Sequence, residues 1–339
     1  MSPRRGLTLG KFSPLHEGHA LLLRAAAAHC DQLTVLVGTT DNDPYSFEQR
    51  RQWISDLLMP GRPPSSLDLV IIPDPDPNVD VQKDEYGTVV DESYWSQWLS
   101  QNSKHMEGVD LVFTSDRYGA EIARRIDAKW FPVDPDRETV PVAASDINAR
   151  PWELFGLVSD VAKPDVALTI AVVGAESTGK STLVKRLAEH FETTYAHEWG
   201  RTISEAHPTL TVEDFDAIVS MQDELIRTAQ RLSNGLCFAD TEAITTALFA
   251  PTYLGQEHPL SWQRAHTQDF THYLLLDPDV PWVDDGTRIL DTDARMAFHT
   301  ALLSSLERLN KPFTVISGDS FAVREAQAIE RVEALTIQR

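Results

Sequence analysis

The stretch ALTIAVVGAESTGKSTLVKRLAEH, residues 167–190, decides how the second half of this chain folds. Residues 167–173 are mostly apolar and read as a buried strand. Gly174, Gly179, Lys180 and Ser181 then fit the spacing GxxxxGK[ST], and residues 183–190 read as a helix. A strand, a glycine loop and a helix in that order form a phosphate cradle. The glycines let the loop wrap so that backbone N–H groups point inward, and the helix N-terminus adds positive dipole. Lys180 is placed to neutralise β/γ-phosphate charge and Ser181 to ligate Mg2+, with Glu176, Ser177, Thr178 and Thr182 completing the loop. The expected ligands are ATP and Mg2+.

Carboxylates stand where such a loop needs them. Residues 236–240 read as a strand running into Asp240-Thr241-Glu242, and a carboxylate there can hold Mg2+ or take a proton from an acceptor hydroxyl. Glu198-Trp199-Gly200-Arg201 follows a strand-like 194–197. A carboxylate, a flat ring and a guanidinium suit a small sugar-bearing acceptor, and the kinase base is Glu198 or Asp240. Residues 273–277 read as a strand running into a polar segment that ends at Arg288. Gly286 and Arg288 suit a closing lid whose arginine reaches the transferring phosphate, and Trp282 suits stacking on a heterocycle.

Toward the N-terminus, residues 151–161 look helical and Lys163-Pro164-Asp165 breaks the pattern. This sets a boundary near 164 and domains of 1–164 and 165–339. A length of 339 residues agrees with two domains. The first half alternates strands (7–9, 33–37, 69–72, 110–114, 130–133) with helices (17–30, 47–58, 93–102, 120–126), the pattern of a parallel sheet with crossover helices. Residues 73–92 and 134–146 read as loops. Between the first strand and the first helix lies Gly10-Lys11-Phe12-Ser13-Pro14-Leu15-His16-Glu17-Gly18-His19. His16 and His19 are three apart and share a face at the helix start. Two imidazoles beside helix N–H groups can donate to a phosphate whose charge grows during attack, and Gly18 permits close approach of a nucleotide. That suits in-line nucleotidyl transfer with no covalent nucleophile. As a metal site the pair is poor, because no third or fourth ligand is nearby.

Gly10 to His19 resembles the HxGH nucleotidyltransferase superfamily. With the phosphate loop behind it, the chain resembles the bifunctional nicotinamide mononucleotide adenylyltransferase / ribosylnicotinamide kinase (NadR-like) family. The likeness runs through SDRYG (115–119), VDPDR (133–137), Pro151-Trp152, and the segments 174–181, 198–201 and 240–246. LLDPDVPWVDDGTR (275–288) is the most family-specific string. The resemblance implies an α/β fold with an N-terminal HxGH nucleotidyltransferase Rossmann-like domain and a C-terminal P-loop kinase domain, both with parallel sheets. It implies ATP-dependent phosphorylation of nicotinamide riboside, then adenylyl transfer from ATP to nicotinamide mononucleotide, giving NAD and pyrophosphate. His16, His19, Lys180, Glu198 and Asp240 would carry the chemistry. Gly10, Lys11, Phe12, Gly18 and Ser145 would bind ATP in the first domain, and the phosphate loop with Arg288 in the second. Trp98, Tyr118, Trp199, Arg201, Trp282 and Asp285 would face the riboside or mononucleotide, with Ser181 and Asp240 on Mg2+.

The chain also departs from that family. It starts directly at the first strand, without the helix-turn-helix of the repressor members. A second phosphate motif, S-x-T-x-I-R-x-x-P, is altered: aligned on Pro151, Ala143 stands for the serine and Asn148 for the arginine. Arg150 lies about 200° round a helix from that place, so weak adenylyl transfer is expected. Glu242 replaces a more usual aspartate with its charge kept. An alternative keeps the kinase and makes the first domain a nucleotide- or NAD-binding regulatory module.

Charge narrows the partners. The chain has 30 Lys+Arg against 51 Asp+Glu, a net charge of −21, divided as 16 against 26 in residues 1–165 and 14 against 25 in 166–339. Both halves repel a polyphosphate backbone, so extended nucleic-acid binding is disfavoured. An aminoacyl-tRNA synthetase is disfavoured as well, since no KMSKS-like loop is present. A switch GTPase is disfavoured because no N-K-x-D string follows the phosphate loop. Cys30 and Cys237 read as thiols of a reducing compartment, and no apolar run reaches membrane-spanning length. Residues 1–5 lead into no apolar h-region, so a cytoplasmic protein is expected, homo-oligomer formation being compatible.

Overall fold

A computed structural model describes residues 3–60, 64–73, 91–207, 209–279 and 292–337. The chain divides into two compact units, Met1–Ala162 and Lys163–Arg339.

The first unit runs β1 (Arg5–Gly10), α1 (Glu17–His29), β2 (Gln32–Thr39), α2 (Phe47–Leu58), β3 (Ser66–Pro73), α3 (Glu92–Asn102), β4 (Leu111–Thr114), α4 (Tyr118–Arg125), β5 (Lys129–Pro132) and α5 (Ala144–Ala149). Its strands are parallel in the order β3-β2-β1-β4-β5. Helix α1 buries Ala20, Leu23 and Ala27 with Leu22 and Ala26, an apolar stripe at helical spacing. Helix α2 starts at a capping box in which Ser46 and Gln49 satisfy each other's backbone N–H. One core packs Leu7, Leu36 and Val112 of the sheet against Trp95 and Trp98 of α3 and Ile122 of α4. Because β2 and β4 flank β1 on opposite sides, the strand order reverses there. Such a reversal opens a crevice at the carboxyl ends of the strands, and residues 10–19 leave β1 at that point.

The second unit runs α6 (Lys163–Val166), β6 (Leu168–Gly174), α7 (Lys180–His190), β7 (Thr194–Ala196), α8 (Trp199–Ala206), α9 (Val212–Leu232), β8 (Leu236–Asp240), α10 (Ala243–Leu254), α11 (Pro259–Thr267), β9 (His272–Leu276), α12 (Thr292–Arg308), β10 (Phe313–Ile316) and α13 (Phe321–Ile337). The strands are parallel in the order β10-β9-β6-β8-β7. Every residue of β6, β8 and β9 is buried, as expected of central strands covered on both faces. The phosphate loop therefore leaves the middle of its sheet.

Local pattern misleads at three places. Residues 151–161 form turns and one short 3-10 helix, Phe155–Leu157, not an α-helix. Tertiary pairing overrides the helical pattern there: Val158 bridges His16 in antiparallel fashion, and Ser159 N donates to Leu15 O at 3.0 Å. Lys163-Pro164-Asp165 is itself the short helix α6, since proline is tolerated in a first turn. The loop expected up to residue 146 already turns into α5 at Ala144. Most of the loop expected at 73–92 lies outside the described residues. No helix among the described residues is long and apolar enough to cross a membrane.

Candidate functional site

In the first unit, His16 is the N-cap of α1. Its Nδ1 accepts from Gly18 N at 3.1 Å and from His19 N at 3.4 Å, which leaves Nε2 to carry the proton. A Cβ on Gly18 would lie 3.0 Å from the His16 ring, so a side chain there would press the imidazole out of its place over this turn. The His16 and His19 rings stack at 3.7 Å. Burial lowers His16 to about 4, and the Arg137 charge adds to this. Burial holds His19 well below the usual histidine range, with His16 and Arg137 contributing. Both rings are therefore neutral near pH 7. As neutral rings they can offer N–H donors without adding charge.

The pair opens on a cavity of about 370 Å³, ample for a nucleotide. Of the expected ATP-binding residues, Gly10, Lys11 and Gly18 line it. Phe12 is fully buried instead, its ring centroid 4.9 Å from that of His19 in an edge-on contact, so it supports the imidazole from outside the cavity. Ser145 is exposed, while Ala143 and Ala144 line the wall. Trp98 and Tyr118 line the cavity as expected, and Tyr94 and Trp95 join them. Asn148 donates from Nδ2 to Ser13 O at 3.1 Å. Arg150 is exposed, 3.6 Å from Glu153, and does not line the cavity.

Sequence reading missed Arg50. This fully buried guanidinium donates to Lys11 O at 2.9 Å and Gly38 O at 2.8 Å, and pairs with Asp43 at 3.0 Å. It ties the histidine loop to the end of β2. In the sequence it is one arginine among the charged residues of an amphipathic helix.

In the second unit, Gly179 sits at φ +90° and a Cβ there would lie 2.4 Å from the Phe321 ring, so glycine is required twice over. Lys180 Nζ and Thr178 Oγ1 both donate to Ala175 O, at 3.1 and 2.9 Å. Arg295 donates to Glu176 O and Arg324 to Thr178 O, each at 3.0 Å. The carbonyls of the loop are thus held by protein donors. Ser181 and Thr182 follow in the first turn of α7, and Thr182 lines a small recess with Gly179 and Phe321.

Sheet register assembles the carboxylates. Asp240 pairs with Val172, two residues before the loop, and Ala196 pairs with Ala239, so Glu198 emerges beside the end of β8. Asp240 is buried, and its Oδ1 has no hydrogen-bond partner among the described residues. Glu198 is one-fifth exposed, with its side chain 20% accessible, and lies 3.4 Å from Arg201. Burial raises its carboxyl above the usual range; Lys180 opposes this, Asp240 adds to it, and Arg201 opposes it again. A pocket of about 120 Å³ includes Glu176, Lys180, Glu198, Arg201 and Tyr253 in its wall. Trp199 does not line that pocket; it packs against the cluster of Leu210, Phe215, Ile218 and Ala250. Trp282, Asp285, Gly286 and Arg288 lie outside the described residues.

Glu242 is corrected to a structural role. It is fully buried as the N-cap of α10, its oxygens accepting from Ile244 N at 2.6 Å, Thr245 N at 2.8 Å and Thr245 Oγ1 at 2.8 Å. Three of the roughly four acceptor positions of this buried carboxylate are taken by the cap. Among the described residues no group of three His, Cys, Asp or Glu could hold a metal.

Gln222 of α9 is the other residue the sequence did not reveal. It is buried, accepts from Trp199 N at 2.9 Å and donates to His197 O at 3.1 Å and Asp240 O at 3.5 Å. One amide fixes the backbone around both Glu198 and Asp240. Gln222→Ala is expected to lower phosphoryl-transfer kcat about tenfold, or about 1.4 kcal/mol of barrier, without changing reactions of the first unit. Steady-state kinetics of both reactions on one preparation check this.

Residues 169–324 match the AAA domain family and residues 7–55 match the Cytidylyltransferase-like family. The chain is 29% identical over 342 residues to the trifunctional NAD biosynthesis/regulator protein NadR of Escherichia coli, covering 97% of this chain and 83% of that protein. It is likewise 29% identical over 352 residues to the NadR of Salmonella typhimurium, covering 98% and 84%. A crystal structure of a NadR protein in complex with NR matches 99% of this chain and 97% of its own, with TM-score 0.69 and 22% identity. Another, in complex with NAD and AMP-PNP, matches 99% and 96%, with TM-score 0.68 and 20% identity. Two parallel-sheet units in this order, the first carrying the HxGH loop and the second the phosphate loop, are what this chain shares with these NadR proteins along almost its whole length.

Proposed function

We propose that the chain is a NAD-salvage enzyme. Its second unit phosphorylates nicotinamide riboside with ATP, and its first unit joins the resulting mononucleotide to AMP from a second ATP, releasing pyrophosphate. One observation carries the reading: each unit places a different phosphate-handling loop at the carboxyl end of the central strand of its own sheet.

In the second unit, Lys180 neutralises the β/γ-phosphates and the loop positions them in line with the riboside 5′-hydroxyl. Glu198, with its raised pKa, accepts the hydroxyl proton as the bond to phosphorus forms. Asp240, with an unsatisfied buried oxygen, and Ser181 would hold Mg2+, which would supply screening of the phosphate charge when bound. In the first unit, the mononucleotide phosphate attacks the α-phosphorus of ATP. Neutral His16 and His19 donate hydrogen bonds to oxygens that gain charge, and no residue forms a covalent intermediate. Trp98 and Tyr118 supply the flat wall for the nicotinamide. Both cysteines are free thiols, which fits a cytoplasmic enzyme.

The test is one assay: nicotinamide riboside with Mg-ATP, quantifying both mononucleotide and NAD. Mononucleotide and NAD are both expected. Mononucleotide without NAD would support a second reading, favoured by Asn148, in which the first unit binds adenine dinucleotide as a regulator. Asp240→Asn is expected to raise the Mg2+ concentration for half-maximal phosphorylation about tenfold, and saturating Mg2+ should recover part of the rate. Rescue by Mg2+ in Glu198→Gln and not in Asp240→Asn would reverse the two roles.

A further inference from the structure

The first unit must hold a triphosphate with little positive charge. Its two histidines are neutral, and the place of a phosphate-binding arginine is taken by Asn148, whose amide is turned to Ser13 O. Arg150 stays outside the cavity beside Glu153. Among the described residues lining the cavity, the cations are Lys11 and Arg137.

Arg137 reaches the site by a different route from the missing residue. Thr8 pairs with Phe113, and Thr114 pairs with Pro132, so the loop after β5 lies at the same carboxyl edge as Gly10. The backbone of this loop is pinned in an uncommon conformation. Asp134 and Arg137 both have positive φ, +51° and +52°, each costing on the order of 1 kcal/mol for a side-chain-bearing residue. The Asp134 carboxylate accepts from Val140 N at 3.0 Å and from Thr139 N at 3.2 Å, which holds the turn. Arg137 itself is loosely held. Its guanidinium is 42% exposed and sits 3.3 Å from Asp116, itself half exposed. An exposed pair of this kind is worth about 0–1 kcal/mol, so a phosphate bearing more charge displaces Asp116 readily. The Arg137 charge also acts on both His16 and His19, which puts it within electrostatic reach of the two N–H donors.

Resting on the adenylyl-transfer reading, we propose that Arg137 is the phosphate-binding cation of the first unit, gripping the departing pyrophosphate from the β5 side where the family uses an arginine at position 148. A guanidinium can take two phosphate oxygens in one fork, which asparagine cannot.

The experiment uses the full chain and NAD formation from mononucleotide and Mg-ATP. Arg137→Ala is expected to lower kcat/KM for ATP about 30-fold, or about 2 kcal/mol, while riboside phosphorylation stays within twofold. Arg150→Ala should change neither reaction. Adding Asn148→Arg to Arg137→Ala should restore NAD formation at least several-fold, because the longer side chain returns a positive charge beside the histidine loop, where Asn148 now meets Ser13 O. A purely structural role for Arg137 predicts no such rescue, so a double variant as slow as Arg137→Ala overturns the proposal. NAD formation by Arg137→Ala within threefold of the unaltered chain overturns it as well. If the unaltered chain makes no NAD, the adenylyl-transfer reading fails, and Arg137 is then judged by calorimetry with Mg-AMP-PNP in a Lys180→Ala background. Loss of the remaining binding in Arg137→Ala supports the assignment, and unchanged binding overturns it.

Discussion

Lys180→Ala is expected to cut riboside phosphorylation by about 10²–10³ and to leave NAD formation from mononucleotide unchanged. The size follows from removing one preorganised cation from phosphates that gain charge at the bridging oxygen in the transition state, an electrostatic contribution usually worth that much. The separation follows from the two units, each with its own loop on its own sheet. Lys180 is 7% exposed, and its ammonium is held by Ala175 O. Ala175 O keeps Thr178 Oγ1 as a donor when the ammonium is lost, so the loop and the fold should survive. Lys180→Met keeps the apolar stem in place and should be as inactive as the alanine variant. Parallel assays of mononucleotide and NAD on the same preparations check both statements. A folded variant with undiminished phosphorylation removes the phosphate loop from the mechanism.

What the sequence disclosed follows from how local the physics is. The loop at 174–181 and the one at 10–19 are legible because their functions need contiguous residues: glycines for backbone curvature, and a helix start directly after a strand. Their strands are legible because central parallel strands are apolar throughout, as β6 is. Glu242 misleads because a carboxylate at the end of a strand has two common uses, ion ligand and helix cap, and only the neighbouring N–H groups of Ile244 and Thr245 decide between them. Gln222, Arg50 and Arg137 act across sequence separations of about 20 to 120 residues, through contacts that no local pattern encodes. Helix α9 shows this well. Its amphipathic pattern announces only a buried face, yet one residue of that face, Gln222, holds the backbone beside both Glu198 and Asp240. The failure at residues 151–161 has the same origin, since Val158 is claimed by His16 from the far end of its domain.

Glu198→Gln is expected to lower riboside phosphorylation by about 10²–10⁴, the usual range for losing a general base, with no rescue by Mg2+. Its pH behaviour separates a base from an ion ligand. Glu198 works as carboxylate, so the rate falls as pH drops through its pKa. Burial holds that pKa above the ordinary 4.5, and the acid limb of kcat/KM should lie correspondingly higher than for an exposed carboxylate. Arg201 lowers the pKa, so Arg201→Ala should move the limb to still higher pH. Stability supplies an independent check. A carboxyl whose folded pKa exceeds its unfolded value prefers the proton in the folded state. It therefore costs stability as pH rises from the unfolded pKa through the folded one, and the full cost is present near pH 7. Glutamine carries no such cost, so the inactive variant should melt at higher temperature than the unaltered chain near pH 7. That gain should shrink as pH is lowered and vanish below both pKa values. A site that must hold a partly desolvated carboxylate, its burial incompletely offset by Lys180 and Arg201, gives up stability for reactivity. A Glu198→Gln variant that is slow yet melts identically at all pH values would mean that Glu198 is ionised at no cost in the folded enzyme. The acid limb of kcat/KM should then lie at the ordinary carboxylate position, and the raised limb expected above would fail.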